Sequence, residues 1–177
     1  MRSDVESESQ PEPTERLGPA ADLVASVYGD LRDLAARYLG HRNWTVQPTA
    51  LVHEAYSRCA RYGEFRGPEH FAAVAATAMR QLLIDHARAR KAGKRDAALR
   101  TVCDLEEIGR SEFDVLDIDD ALAVLAALDE RKAKVVELRI FGGMTIPEVG
   151  RALGISHMTV SNDWRFARAW LAERLAP

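Results

Sequence analysis

Between His157 and Arg165 the chain carries side chains suited to reading nucleic-acid bases. Arg165 can donate a bidentate pair to guanine or grip a phosphate, and Asn162 can pair with adenine. Ser161 can serve several base edges, and Met158 can touch a thymine methyl. At about 100° per residue, Met158, Ser161, Asn162 and Arg165 share one side of a helix. Val160, Trp164, Ala167 and Leu171 share the opposite, apolar side. His157 and Thr159 stand at the helix start, where the positive helix end favours a phosphate.

Two His–acid pairs, His53-Glu54 and Asp85-His86, are the residues closest to an acid–base or metal site. Neighbours on a helix diverge by about 100°, so neither pair forms a chelating face. No Ser/His/Asp set, P-loop or Gly-rich cofactor motif accompanies them. Cys59 and Cys103 lack the paired spacing of a zinc site or disulfide framework. The sequence therefore predicts no catalytic residues, no metal, no cofactor and no small-molecule substrate.

The elements that hold the base-reading face are written in the preceding residues. Thr145-Ile146-Pro147-Glu148 has the form of a capping box, with Pro147 in the first turn where no intrahelical N–H is needed. The short helix Ile146–Leu153 ends at Gly154, and Ser156 can cap the next helix. Gly150 is small where two helices must cross closely. This is the pattern of a helix-turn-helix, whose second helix is offered to the major groove.

Upstream, apolar residues recur at helical spacing in three stretches: Val24 to Tyr38, Val52 to Ala60, and Phe71 to His86. His41–Pro48 and Tyr62–His70 separate them, and the third helix is expected to end near Gly93. The pattern resumes at Ile118, Ala121, Leu122 and Leu125, runs on through Ala133, Val136 and Ile140, and stops at Gly142-Gly143. No strand-like alternation of useful length is evident. The predicted fold is all-α: two small helical domains joined by an acidic linker, the C-terminal one a helix-turn-helix. The expected divisions are a disordered tail (1–18), a helical domain (19–95), the linker (96–117, with room for a short helical piece) and the helix-turn-helix domain (118–177).

Charge is distributed in blocks although the net formal charge of the 177 residues is only −3. Residues 80–100 hold seven Lys or Arg against two Asp, and residues 104–120 hold eight acids against one Arg. A basic block beside an acidic one points to nucleic acid more than the net charge does. The N-terminus is acidic and Pro-containing, unlike a secretory signal, and no apolar run approaches the ~20 residues of a membrane span. A cytoplasmic protein without membrane insertion is expected.

Three segments together resemble the sigma-70 family of RNA polymerase sigma factors, of the extracytoplasmic-function (ECF) class. Gln47-Pro48-Thr49-Ala50-Leu51-Val52-His53-Glu54-Ala55-Tyr56 is similar to the polymerase-docking helix. Phe71 through Asp85-His86-Ala87-Arg88-Ala89-Arg90 is similar to the promoter-melting helix. Leu128-Asp129, Val135-Val136-Glu137-Leu138-Arg139 and the helix-turn-helix resemble the second conserved domain.

The resemblance implies a transcription initiation factor with core RNA polymerase and promoter DNA as partners; an anti-sigma factor is a further partner class it brings with it. It places polymerase docking on His53, Glu54, Ser57, Arg58 and Arg61. It places −10 recognition and strand opening on Phe65, Arg66, His70, Arg80, Gln81, Arg88, Arg90 and Lys91, with Lys94 and Arg95 extending the charge. Phe65, His70 and Phe71 are its candidate ring surfaces for an extruded base, although Phe71 also opens an apolar stripe and is expected in the core. It places −35 recognition on His157, Met158, Thr159, Ser161, Asn162 and Arg165. The acidic segment either mimics nucleic acid inside the polymerase or is a plain spacer.

The chain departs from the pattern at Val74, where many members carry Trp, and at Met158, Ser161 and Asn162, where Arg or Lys is expected. A helix-turn-helix alone also fits a DNA-binding regulator that never joins polymerase, but such a protein leaves residues 49–95 without a role.

Overall fold

A computed structural model of the chain describes residues 28–29, 31–33, 35–36, 47–62, 65–93, 100–105 and 109–176. The expected tail 1–18, together with Lys94 and Arg95, lies outside them. The fold is all-α in class, built from α1 (Pro48–Cys59), α2 (Pro68–Gly93), α3 (Val115–Leu128), α4 (Glu130–Ile140), α5 (Ile146–Leu153) and α6 (His157–Arg174). Residues 28–29, 31–33 and 35–36 are also helical.

Each helix starts where its sequence allows. Pro48 opens α1, where its missing N–H is no loss. Asp129 caps α4 by accepting from the Lys132 N–H at 3.0 Å. The helix α4 ends before Gly142-Gly143, and Gly143 takes a positive φ of 61°. The apolar stripes are buried as their spacing predicts. Leu51, Val52, Ala55 and Cys59 of α1 meet Phe71, Ala75, Ala78, Met79, Leu82 and Leu83 of α2, and Leu31 and Ala35 join them. Burial pushes the Cys59 thiol up to about 11, which leaves it uncharged and unreactive at neutral pH.

The linker expectation needs correcting. Residues 96–117 contain an antiparallel hairpin of β1 (Arg100–Leu105) and β2 (Gly109–Asp114), in a register that pairs Thr101 with Phe113 and Cys103 with Ser111. The alternation Thr101, Cys103, Leu105 was too short and too mixed with acids to be read as a strand. Moreover, α3 begins at Val115 rather than Ile118, and Val115 is fully buried. Asp117 lies in its first turn, where an acid suits the positive helix end. Part of the acid-rich run is therefore helix.

The hydrophobic clusters draw on both ends of the chain. One joins the α1–α2 core to Val115, Ile118, Leu122 and Leu125 of α3 and to Ala133 and Val136 of α4. The other places Ala73 and Ala76 of α2 among Val135, Leu138, Met144, Val149 and Val160. The helix α2, about 39 Å long at ~1.5 Å per residue, thus packs on α1 with one face and on α3 to α5 with another.

Candidate nucleic-acid interface

The helix-turn-helix forms as its residues dictate. The Glu148 carboxylate accepts from the Thr145 N–H at 2.6 Å and from the Thr145 hydroxyl at 2.7 Å, closing the start of α5. Gly154 ends α5 in the left-handed region with φ 66° and ψ 32°. The Ile155 N–H then donates to the Gly150 carbonyl at 3.0 Å. A Cβ on Gly150 would stand 2.9 Å from the Ile155 carbonyl oxygen, so any larger residue would push the turn apart. Ser156 caps α6 by accepting from the Thr159 N–H at 3.1 Å.

The faces of α6 separate as the spacing predicts. Val160, Ala167 and Leu171 are buried, and Trp164 is half-buried against both clusters. His157, Met158, Ser161, Asn162 and Arg165 are exposed, Met158 at 61%. Thr159 is half-buried and its hydroxyl lies 2.9 Å from that of Ser156. Arg165 Nη2 donates to Asn162 Oδ1 at 2.6 Å, which sets the two side chains side by side on the exposed face.

Two supporting residues of α6 escaped the sequence reading. Asp163 is buried on the core side and accepts from Arg131 Nε at 2.7 Å and Nη2 at 3.2 Å, with Lys132 Nζ at 3.4 Å. A lone acid between Val160 and Ala167 was the available signal, since buried carboxylates are almost always paired. Phe166 is 53% exposed, and the Lys132 ammonium stands 5.4 Å from its ring centre. From α4, the Arg139 guanidinium lies 5.1 Å from the Trp164 ring and donates to the Met144 carbonyl at 2.5 Å.

On α1, His53, Glu54 and Ser57 are exposed and Arg58 is half-buried, and Arg61 is exposed in the 3-10 turn Ala60–Tyr62 that follows. Arg58 Nη2 lies 3.2 Å from Asp85 and 3.9 Å from Glu54, and His86 Nε2 lies 3.8 Å from the other Glu54 oxygen. The two His–acid pairs therefore meet across helices around an arginine, as a tie between α1 and α2. Among the described residues, no three His, Cys, Asp or Glu side chains are grouped to hold a metal ion.

The proposed −10 residues split into two groups. Before α2, the half-buried Phe65 ring meets Phe71 nearly edge-on, 5.0 Å between centres, and lies 6.0 Å from the His70 ring. Phe71 is 2% exposed and takes the core role, supporting Phe65. The Arg66 N–H donates to His70 Nδ1 at 3.3 Å while the Arg66 side chain is exposed. Along α2, Gln81 and Lys91 are exposed, Arg90 is half-buried, and Arg80 and Arg88 reach acids of α3 and α4.

A profile of the ECF sigma factor family matches residues 18–176. The chain belongs to the ECF sigma factor family. A comparison with curated proteins returns no significant match. As an ECF sigma factor the chain is a DNA-binding protein of transcription initiation, with core RNA polymerase and promoter DNA as its partners. Members of this family are regulators rather than enzymes. Among the described residues of this sigma factor, no helix is long and apolar enough to cross a membrane.

Proposed function

We propose that residues 19–95 form the polymerase-docking and −10 half of this sigma factor and residues 118–177 its −35 half. In this assignment α1 and the turn after it dock on polymerase through His53, Glu54, Ser57, Arg58 and Arg61. Phe65, Arg66 and His70 meet the opened −10 strand, Phe65 offering a ring for stacking. Arg80, Gln81, Arg88, Arg90 and Lys91 follow its phosphates. The outer face of α6 reads −35, Arg165 and Asn162 contacting bases and His157 and Thr159 the backbone. Core polymerase without a sigma factor does not select promoters, so the protein works inside the cell. An anti-sigma factor is a fitting regulator, because the docking and reading faces are both surface features.

The observation that carries this proposal is the clean division of α6, with Val160, Ala167 and Leu171 buried while Met158, Ser161, Asn162 and Arg165 are exposed. A helix fixed by capping at Ser156 and by Gly150 at the crossing presents that face rigidly, as base recognition requires. The test is open-complex formation by reconstituted holoenzyme on a promoter selected from a randomised library. Permanganate reactivity around −10 and protection around −35 are expected. Arg88→Ala with Arg90→Ala should slow opening roughly tenfold or more and reduce its salt dependence. Unchanged opening in that variant would make the basic tract solvated surface only.

A further inference from the structure

The Trp and Phe side chains of α6 divide between core and surface. Trp164 and Trp170 pack against the buried cluster. Phe166 is more than half exposed, and among the described residues it joins neither hydrophobic cluster. A lone exposed apolar side chain is ordinary on a protein surface. What sets Phe166 apart is what stands on either side of it.

At about 100° per residue, Phe166 falls about 40° round α6 from Asn162, one turn further along. Asp163 lies about 60° beyond it in the same direction. That buried carboxylate accepts from Arg131 Nε at 2.7 Å and faces Lys132 Nζ at 3.4 Å. Lys132 also covers the ring: its ammonium stands 5.4 Å from the centre of Phe166. Asp129, the cap of α4, binds the same ammonium. The cation is thus fixed between two carboxylates, and it holds the ring in place while leaving the rest of it to solvent. The order round the helix is Arg165, Asn162, Phe166, then two cations carried by α4.

That order matches the cross-section of a major groove. Base edges form its floor and phosphates its walls. The thymine methyl is the apolar group that the floor offers, and it projects toward the wall of its own strand. A ring set between an amide suited to a base edge and cations suited to phosphate meets that methyl.

We propose that Phe166 is a specificity-determining residue that reads a thymine of the −35 element through its methyl group, beside the base met by Asn162. This rests on the assignment of the outer face of α6 to −35 DNA. It makes thymine a required part of that element. Met158, the other exposed apolar side chain of this helix, lies eight residues earlier, about 12 Å along the axis at ~1.5 Å per residue. The two side chains therefore fall on different base pairs, and their contributions are separable.

The test uses reconstituted holoenzyme on a promoter selected from a randomised library. Each −35 thymidine, on either strand, is replaced in turn by deoxyuridine, which removes the methyl and nothing else. Wild type should lose about fourfold in affinity at one position, the worth of one methyl group taken out of water. At that position Phe166→Ala should bind the thymidine and deoxyuridine promoters equally. Phe166→Leu should keep part of the difference, and Met158→Ala should keep all of it. Should Phe166→Ala not fold, as circular dichroism will show, Phe166→Gln takes its place with the same equality expected. The proposal is overturned if no deoxyuridine penalty disappears with Phe166, or if the selected element holds no thymine. When Arg165→Ala still weakens −35 binding, either result removes Phe166 alone and leaves the assignment of α6 standing. If Arg165→Ala and Phe166→Ala both leave −35 binding unchanged, the assignment fails and the proposal with it. Weaker association of Phe166→Ala with core polymerase, at undiminished thymine discrimination, makes the ring a polymerase contact and overturns the proposal too.

Discussion

Arg131 Nε donates to Asp163 Oδ2 at 2.7 Å across the contact between α4 and α6, whose outer face is proposed to read bases. Asp163 is buried beneath that face, on the side of α6 opposite Ser161 and Arg165. The pair therefore fixes how α6 is rotated on its support without touching DNA. Asp163→Ala removes the acceptor and leaves Arg131 and Lys132 without their shared carboxylate. The melting temperature should fall by roughly 4 °C, and affinity for duplex −35 DNA should fall with it. Arg131→Ala is expected to have the same sign and a smaller size, since Lys132 still faces Asp163. Full −35 affinity in Asp163→Ala at unchanged melting temperature would show that the pair does not orient the helix.

The bond from Arg165 to Asn162 joins the two proposed base contacts into one unit. Arg165→Ala should weaken −35 duplex binding by roughly 5- to 150-fold, corresponding to ~1–3 kcal/mol for a bidentate base contact. Association with core polymerase should be unaffected, since Arg165 is exposed and α1 lies elsewhere. Arg165→Ala combined with Asn162→Ala should lose less than the sum of the two single losses, because each removes the other's partner. Additive losses in electrophoretic or anisotropy titrations would mean that the two side chains act separately on DNA.

Acid should loosen the contact between α2 and α4 before it melts the helices. Burial pushes the Glu137 carboxyl up, but the hydrogen bonds from Lys134, Thr77 and Arg80 and the charge of Lys134 outweigh it, leaving it below its ordinary value. The hydrogen bond from Arg151 lowers Glu69 likewise. A depressed carboxylate stabilises the fold above its unfolded value of about 4.3, and the contribution is lost as pH falls through the lower folded value. Melting temperatures should therefore hold from about pH 7 to pH 5 and drop below about pH 4. Glu137→Gln should start lower at neutral pH, by about 3 °C, and drop less in acid. Parallel curves for both proteins would remove Glu137 from the acid response.

The helices were legible because their apolar residues repeat at three and four, and because Pro48, Gly142-Gly143, Thr145, Gly154 and Ser156 mark their ends by local chemistry. The face of α6 was legible for the same reason: what lies opposite Val160, Ala167 and Leu171 must be exposed. The hairpin was not, since its strands alternate only weakly and a run of acids dominates the segment. The start of α3 was hidden by the same acids, which suit both a solvated linker and a first helical turn. Arg80 marks the other limit. Its place on a basic helix was visible, but its pairing with Asp119 and Glu137 spans 39 and 57 residues of sequence, and no local pattern encodes that. Asp163 lay between these cases, visible as an acid on an apolar stripe but with no sign of its partner.

The central claim is that this chain directs initiation by core RNA polymerase, and run-off transcription measures it most directly. Purified core polymerase is supplied with the full chain and a library of promoter-bearing templates. Discrete run-off products from a subset of templates sharing −10 and −35 sequences are predicted, absent without the chain and strongly reduced with Arg165→Ala. No stable association with core polymerase, and no template-selective product at any chain concentration, would contradict it.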